Sequence, residues 1–470
     1  MSGAGGMPGP LTLSANSNYF QDTTGRAVAL FGSHTWNNFQ DWGTNGSPQA
    51  FDFSAYTNFL VAHGHNFTFL WRTELPKFCA LPTQSANSPD FTTTAQPWLR
   101  SGPGNASDGG PKFDLGKFDQ SYFDRLRARV AQLNGAGVWV GVYLFSGEWL
   151  NAFRCATDGY PLTNGNNVNA IDDGGGNGSM TMTGPNAITA IQDALIDKTV
   201  DTLNDLPNVI WAVSEEANAN TLWWHGHVMA HLRSYESTKP YKHPLGVGAF
   251  EYGTPDSVLF NSDADWVAPF SHVSASSTCG TGSPRCKVNI NDSDHSYFGM
   301  WNDSKQVNRQ YAWENFTRGS QVAFMDPYNV YYPREGRNAC PAPINGICSG
   351  VDPRWDNFRD NLGYLASYSR RLNLNAAQAK DPLCSTSYCL GQTPAVGTEL
   401  LVYAPSGGAF TVNLGSATGR TMNYEWFDPS TGRVISTGTL AGGNSSQPFS
   451  TPAAILTDSV LYLVDSAGHG

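Results

Sequence analysis

The chain has 470 residues, of which 40% are hydrophobic and only 14% charged, with 49 glycines and 28 prolines. That is more than one ordinary globular domain, and it asks for many loops. A net charge of −11 argues against nucleic acid or an anionic membrane as the partner, and no apolar run approaches the roughly 20 residues of a membrane-spanning helix. The Gly-rich start, Met1–Pro10, carries no apolar signal core, which leaves a cytosolic protein or one whose export signal is missing from this sequence. The cysteines decide for export. Cys279/Cys286, Cys340/Cys348 and Cys384/Cys389 lie close in sequence, and none has zinc-type CxxC spacing with a partnered histidine. No metal or other cofactor is expected, and three short loop-closing disulfides are. Cys79 and Cys155 remain to pair with each other. The expected location is secreted or periplasmic.

In chain order, residues 11–33 read as strands: Leu11–Ser14, Tyr19–Phe20 and Ala27–Phe31, with turns at Asn16–Ser17 and Asp22–Gly25. The last runs into Gly32-Ser33-His34-Thr35-Trp36. Tyr56, Phe59 and Leu60 fall at helical spacing, stopped by Gly64. Asn66–Trp71 is a strand closing on Arg72-Thr73-Glu74. Its alternation sets Thr68, Leu70 and Arg72 on one face and Phe67, Phe69 and Trp71 on the other. Residues 75–117 show no periodicity, and a loop of that length in a compact domain usually goes with function. Phe123, Leu126, Val130 and Leu133 restore helical spacing up to Gly135. The strand Val138–Phe145 then ends in Ser146-Gly147-Glu148-Trp149. A second loop, 150–184, carries Asp172-Asp173, read as a solvated turn rather than a calcium site because EF-hand spacing is absent. A helix over Asn186–Leu203 leads into Asn208–Asn220.

That stretch opens with an apolar, β-branched run too short for a helix and stops on Glu215 and Glu216. A barrel strand meets its active-site face in this way. Ile210, Ala212 and Ser214 share the register of Glu216 and suit a crowded interior, whereas Val209, Trp211 and Val213 share that of Glu215. Glu216 is expected inward as the chemical carboxylate, with Glu215 in a supporting place. The alternative is that both acids open the next helix, favoured by its dipole. Beyond them come a helix over Thr221–Ser234, strands at Leu245–Val247 and Trp266–Phe270, and Val288–Asn291 running into Asp292-Ser293-Asp294-His295. A helix near Ser304–Arg318, the strand Gln321–Met325 ending in Asp326-Pro327-Tyr328, and a helix near Trp355–Leu372 complete the series. Strand starts at 27, 66, 138, 208, 245, 266, 288 and 321, alternating with helices and closing on polar residues, describe an α/β fold, the (β/α)₈ or TIM barrel. The barrel with its N-terminal hairpin is expected over 1–374 and a disulfide-tied linker over 375–393. A small antiparallel all-β sandwich over 394–470 is built from Glu399–Tyr403, Phe410–Asn413, Met422–Phe427, Arg433–Thr439 and Val460–Val464.

Three motifs carry a family likeness. They are Gly32-Ser33-His34-Thr35-Trp36, the run from Val209 through Glu216, and Tyr424-Glu425-Trp426-Phe427-Asp428-Pro429-Ser430-Thr431-Gly432. The first resembles the first-strand mouth of the clan of retaining (β/α)₈ glycoside hydrolases. The second resembles that clan's fourth strand, where Asn-Glu commonly supplies the acid/base; Glu215 stands here in place of the usual Asn. The third resembles the W-F-D-P-x-T-G turn of a sandwich named for collagen binding, which certain bacterial proteins join to an apiosidase-like barrel.

The resemblance implies a glycosidase that cleaves a plant or microbial polysaccharide or oligosaccharide with two carboxylates. The carbohydrate is the only partner expected and a monomer the expected state. Retention is expected, although an Asp shorter than the usual Glu keeps inversion open. The second carboxylate should close strand seven, which points to Asp292 first and Asp294 next. With Asn289 and Asn291 as lumen-facing residues, strict alternation turns both acids outward, so the strand must end or bulge near Asn291; otherwise the acids only close an Asx-turn. Arg72, on the expected inward register, is placed either to hold the nucleophile ionised or to pair with Glu74 or another rim acid. His34, His272 and His295 are candidates for bonding sugar hydroxyls or for structural roles. Trp36, Trp149 and Tyr328 are candidate stacking platforms or core residues. Glu74, Glu148, Glu215 and Asp326 complete the substrate-binding candidates. Two rivals stand beside this reading: a carbohydrate-binding or adhesive barrel without turnover, and a hydrolase assisted by a metal at Asp292-Ser293-Asp294-His295. No G-x-S-x-G elbow supports an esterase.

Overall fold

The computed structural model describes residues 7–44, 46–79, 90–248, 255–269, 287–295, 298–299, 302, 304–329, 351–392 and 398–466. Eight short strands form one parallel sheet: β1 (Phe31–His34), β2 (Phe67–Leu70), β3 (Trp139–Tyr143), β4 (Val209–Ala212), β5 (Leu245–Val247), β6 (Trp266–Val267), β7 (Val288–Asp292) and β8 (Gln321–Met325). Their order is β1-β8-β7-β6-β5-β4-β3-β2. Asn66 closes the ring between β2 and β1, since its backbone N–H donates to the Phe31 carbonyl at 3.1 Å and its side chain accepts from the Phe31 N–H at 2.8 Å. Outside lie α1 (Phe53–Ala62), α2 (Gln120–Gly135), α3 (Ala187–Leu203), α4 (Leu222–Glu236), α5 (Lys305–Thr317) and α6 (Asp356–Arg371). Asp52, Asp119, Asn186 and Ser304 cap α1, α2, α3 and α5, each accepting from a first-turn N–H. The expected (β/α)₈ barrel is therefore present.

Paired residues share a face, and this fixes the lumen. Gly141 pairs with Ile210 and Phe69, and Tyr143 with Ala212. This row, with Phe67, Trp139 and Trp266, is buried inside the barrel, while Val140, Val142, Val209, Trp211 and Val267 pack against the helices. On β7, Asp292 pairs with Ala323 and Asn291 with Val322. Asn291 bonds Asn315 of α5 at 2.5 Å, so it and Asn289 face the helix layer. The expected register of β7 was therefore inverted: Asp292 faces the lumen with no bulge. The first strand also starts later than its apolar run suggests, because Ala27–Val28 pairs with Phe20–Gln21 in a separate small sheet. Residues 75–117, expected as an irregular loop, hold the strands Lys77–Phe78, Phe91–Thr94, Trp98–Asn105 and Pro111–Phe118.

Cys79 and Cys155 form the expected disulfide, 76 residues apart in sequence, between the loops that follow β2 and β3. Cys384 and Cys389 are instead free, buried thiols. Turn and ladder bonds already close that loop, through Ser387 N–H to the Cys384 carbonyl at 3.2 Å and Lys380 N–H to the Cys389 carbonyl at 2.6 Å. The other two expected pairs, and His272, lie outside the described residues. Among the described residues no helix is long and apolar enough to cross a membrane.

The C-terminal unit is a six-stranded antiparallel sheet faced by a two-stranded one. The larger sheet begins before residue 394: Gln378–Ala379 and Cys389–Gln392 are its first two strands. One face carries Leu400, Val402, Met422, Trp426 and Leu461 into the sandwich core. The other lays Tyr403, Phe427 and Tyr462 against Trp313 of α5 and Tyr368 of α6. The Trp426–Gly432 turn has a local cause, since Asp428 accepts from Ser430 N–H at 2.8 Å and from the Thr431 hydroxyl at 2.8 Å. Arg309 of α5 clamps Asp458 through Nε and Nη2, at 2.5–3.0 Å, where both residues are buried. Removing one partner of such a pair strands a buried charge. Arg309→Ala should lower the unfolding free energy by about 3–5 kcal/mol, read by denaturant titration; a change within the ordinary surface range of about 0.5 kcal/mol would show that the barrel does not depend on this contact.

Candidate active site

The strand alternation that separates Glu215 from Glu216 stops at Ala212. Val213 packs outward with the helix-facing core. Ser214 also turns outward, its hydroxyl 3.0 Å from His225 Nε2 of α4. Two successive outward residues shift the register, and Glu215 enters the lumen, only 2% exposed. Tyr143 of β3 donates its hydroxyl to Glu215 Oε2, and His295 Nε2 lies 2.7 Å from Oε1. Two glycines make room: a Cβ on Gly147 would stand 1.8 Å from the Glu215 carbonyl, and one on Gly248 2.3 Å from Oε2. Glu215 is thus not directed away from the cleft; it is the deeper of the two acids. Glu216 follows in the left-handed region at φ 46°, a cost a non-glycine residue bears mostly at functional sites. Asn151 holds its carbonyl at 2.6 Å. Its side chain is 20% exposed, at the mouth.

Burial pushes the Glu216 carboxyl well above its ordinary range, and Asp294 and Glu148 add to the shift against the opposing His295. His295 is also buried, which alone would lower it; Glu215, then Asp292 and Glu216, outweigh this and hold it well above an ordinary histidine. Its Nε2 is 3.5 Å from Glu216 Oε1. One carboxylate oxygen each of Glu216 and Asp294 and one ring nitrogen of His295 all lie within 4.8 Å of one another. Glu216 and Asp294 are half-buried there.

Asp292, by contrast, is fully buried, with each oxygen against a protein neighbour. Oδ2 lies 2.7 Å from His34 Nε2 and Oδ1 accepts the Asp294 backbone N–H at 3.1 Å. Burial alone would raise it, but His34 and His295 hold it below the usual carboxylate range. His34 is engaged on its other side too, its Nδ1 accepting from the Trp71 indole N–H at 2.7 Å. Both ring nitrogens thus lie 2.7 Å from protein atoms, and the ring is fully buried.

Several further expectations resolve into packing. Arg72 lies on the helix side, over the Tyr122 and Phe145 rings and 3.5 Å from Glu74, so it does not support Asp292. Glu74 accepts from the Ser146 hydroxyl at 2.5 Å. Asp326 is locked by Arg359 at 2.6 and 2.7 Å. Trp149 is buried among Trp42, Phe78 and Phe153, and Tyr328 among Phe51, Tyr56 and Phe59. Neither is a platform. Trp36 is half-buried at the β1 mouth, against both barrel cores. Glu148 stays beside the site, its N–H donating to the Glu215 carbonyl at 3.0 Å. Tyr143 and Trp71 were missed, although each sits on a lumen row readable from its strand: Tyr143 after Trp139 and Gly141, Trp71 after Phe67 and Phe69.

A family model described as "Putative collagen-binding domain of a collagenase" matches residues 389–464. No curated protein matches the chain. Among solved structures, a glycoside hydrolase family 5 protein from Bacteroides vulgatus aligns over 98% of this chain and 94% of its own, at TM-score 0.58 and 15% identity. Another, titled simply glycoside hydrolase, aligns over 98% and 97% at TM-score 0.59 and 13% identity. At such identities the shared property is the fold: a (β/α)₈ barrel followed by a β-sandwich.

Proposed function

We propose that this protein is a retaining glycoside hydrolase in which Glu216 is the acid/base and Asp294 the nucleophile. The observation that carries the reading is the pairing of these two mouth-facing carboxylates with oxygens within 4.8 Å. Retaining enzymes set their carboxyl groups about 5–5.5 Å apart, and inverting ones about 6.5–9.5 Å. The raised carboxyl of Glu216 suits a group that must carry a proton at the start of the reaction. Asp294 replaces Asp292 in the nucleophile's place because Asp292 is fully buried, its Oδ1 bonded to the Asp294 N–H and its Oδ2 in ion-pair contact with His34.

In the first step an Asp294 oxygen bonds the anomeric carbon, the bond to the leaving oxygen breaks, and the Glu216 proton passes to that oxygen. In the second, Glu216 takes a proton from water, the water oxygen bonds the anomeric carbon, and Asp294 departs. The glycan belongs to the plant or microbial polysaccharides and oligosaccharides. The barrel, residues 1–374, holds the chemistry, and the sandwich, whose first strand is Gln378–Ala379, supports it from α5 and α6. Secretion or residence in the periplasm agrees with the Cys79–Cys155 bridge.

A second reading rests on the same cluster, since one imidazole and two carboxylates at this spacing also make a divalent-metal ligand set. The purified protein should be screened against plant and microbial polysaccharides, with the anomeric proton of fresh product followed by NMR. Release of the retained anomer, unchanged by a chelator, is expected. Binding without product would make this a carbohydrate-binding protein; an inverted product would remove Asp294 as nucleophile; loss of activity on chelation would favour the metal.

A further inference from the structure

Three buried side chains, Trp71 just past β2, His34 at the end of β1 and Asp292 at the end of β7, form a line that ends on the main chain of Asp294. The Trp71 indole can only donate, and it donates to His34 Nδ1 at 2.7 Å. That nitrogen must therefore be the bare one, and the ring proton sits on Nε2, 2.7 Å from Asp292 Oδ2. Asp292 Oδ1 then accepts the N–H of Asp294 at 3.1 Å. All three residues are buried, His34 and Asp292 fully, so no water substitutes for a missing partner. Asn38 pins the start of the line, accepting from the Trp71 backbone N–H at 2.9 Å and donating to the Phe69 carbonyl at 2.6 Å.

We infer that Trp71, His34 and Asp292 are a positioning relay: the indole fixes the His34 tautomer, the tautomer demands an ionised acceptor at 292, and that acceptor fixes the backbone of Asp294. The inference rests on the reading of Asp294 as the nucleophile. It also gives a reason for an acid at 292 other than attack on sugar. Asparagine there has one acceptor and one donor face, while its two neighbours, His34 Nε2–H and Asp294 N–H, both donate. One donor would always meet a donor. Removing the indole changes this, because in a Trp71→Phe background His34 can move its proton to Nδ1 and accept from the Asn amide at Nε2. The amide oxygen is then free for the Asp294 N–H.

The relay is tested first without turnover. In the ¹⁵N-histidine-labelled full chain, with His34 assigned by loss of its signals in His34→Gln, the ring is expected to show a pyrrole-type Nε2 and a pyridine-type Nδ1. A proton on Nδ1, in either the neutral or the doubly protonated ring, would overturn the inference. The second test is kinetic, on an aryl glycoside of the sugar the screen identifies. Asp292→Asn should lower kcat by about 10²-fold, the loss expected of a reacting group displaced by about 1 Å, with KM little changed. Adding Trp71→Phe should recover about tenfold of that loss, the order of one remade buried hydrogen bond, although Trp71→Phe alone is harmful. Simply additive losses would overturn it. Full loss in Asp292→Asn with no reciprocal effect from Trp71 would do the same. Whether Asp294 is the nucleophile is decided by its own variants, so the two readings fail separately.

Discussion

Asp294→Asn is expected to abolish turnover on aryl and alkyl glycosides alike, by more than the about 10²–10⁴-fold that acid–base assistance contributes. The amide cannot form the glycosyl ester through which a retaining enzyme passes, and a better leaving group does nothing for a missing nucleophile. Asp294→Gly opens space beside the anomeric carbon, where a small anion such as azide should attack once and yield the inverted glycosyl azide. Asp292→Asn sits two residues away and is buried, with nothing exposed to a sugar. Its loss should be smaller, and azide should not relieve it. The pair of variants therefore assigns the second carboxylate. If azide rescued Asp292→Gly and left Asp294→Gly inert, the roles would be exchanged, and the buried Asp292 carboxylate would have to become accessible when substrate binds.

The architecture was legible because its patterns are local; much of the site was not, because its registers depend on contacts made elsewhere in the chain. Eight apolar runs ending on polar residues mark eight barrel strands because each is a buried parallel strand bounded by loops. The Trp426–Gly432 motif identified the sandwich because its cause lies in Asp428 bonding residues two and three positions on. Lumen registers were harder. Asn289 and Asn291 were expected inside because an asparagine in a strand suggests a polar cleft, but the helix layer also offers partners, and Asn291 found Asn315 there. Arg72 failed for a related reason: the helix side offers it two aromatic rings and Glu74 at 3.5 Å, contacts that its strand's own alternation does not show. Glu215 and Glu216 were placed by counting past the end of a ladder. Alternation holds only while hydrogen bonds maintain the pleat, and the outward turn of Ser214 to His225 is a contact with a helix that the strand's own sequence does not contain. Substitution of the usual Asn by Glu215 was visible, and its meaning needed the structure: a buried carboxylate requires the Tyr143 hydroxyl and His295 close by.

Glu216→Gln should lose least where the leaving group needs least help. The amide keeps the shape but carries no transferable proton, so alkyl glycosides should slow by about 10²–10⁴-fold in kcat/KM, roughly 3–5 kcal/mol of transition-state stabilisation. Aryl glycosides with acidic phenols leave unassisted, and their first step should be nearly spared. Their second step then limits, because no base activates the water. Glu216→Ala with azide should relieve that step, and the glycosyl azide should have the retained configuration, opposite to the outcome at Asp294. The pH profile gives an independent check. Glu216 is raised above its ordinary range by burial and by Asp294 and Glu148, and it works protonated. Activity is therefore present below its folded pKa and lost as pH rises through it, so the alkaline limb of kcat/KM on alkyl glycosides belongs to Glu216 and should vanish in Glu216→Gln. Glu215→Gln leaves that proton in place but removes the counter-charge of His295, 2.7 Å away. Its loss should be similar on both substrate types. Should Glu215→Gln carry the leaving-group dependence and erase the alkaline limb while Glu216→Gln stays near wild type, the deeper carboxylate is the acid, and the half-buried one at the mouth only binds.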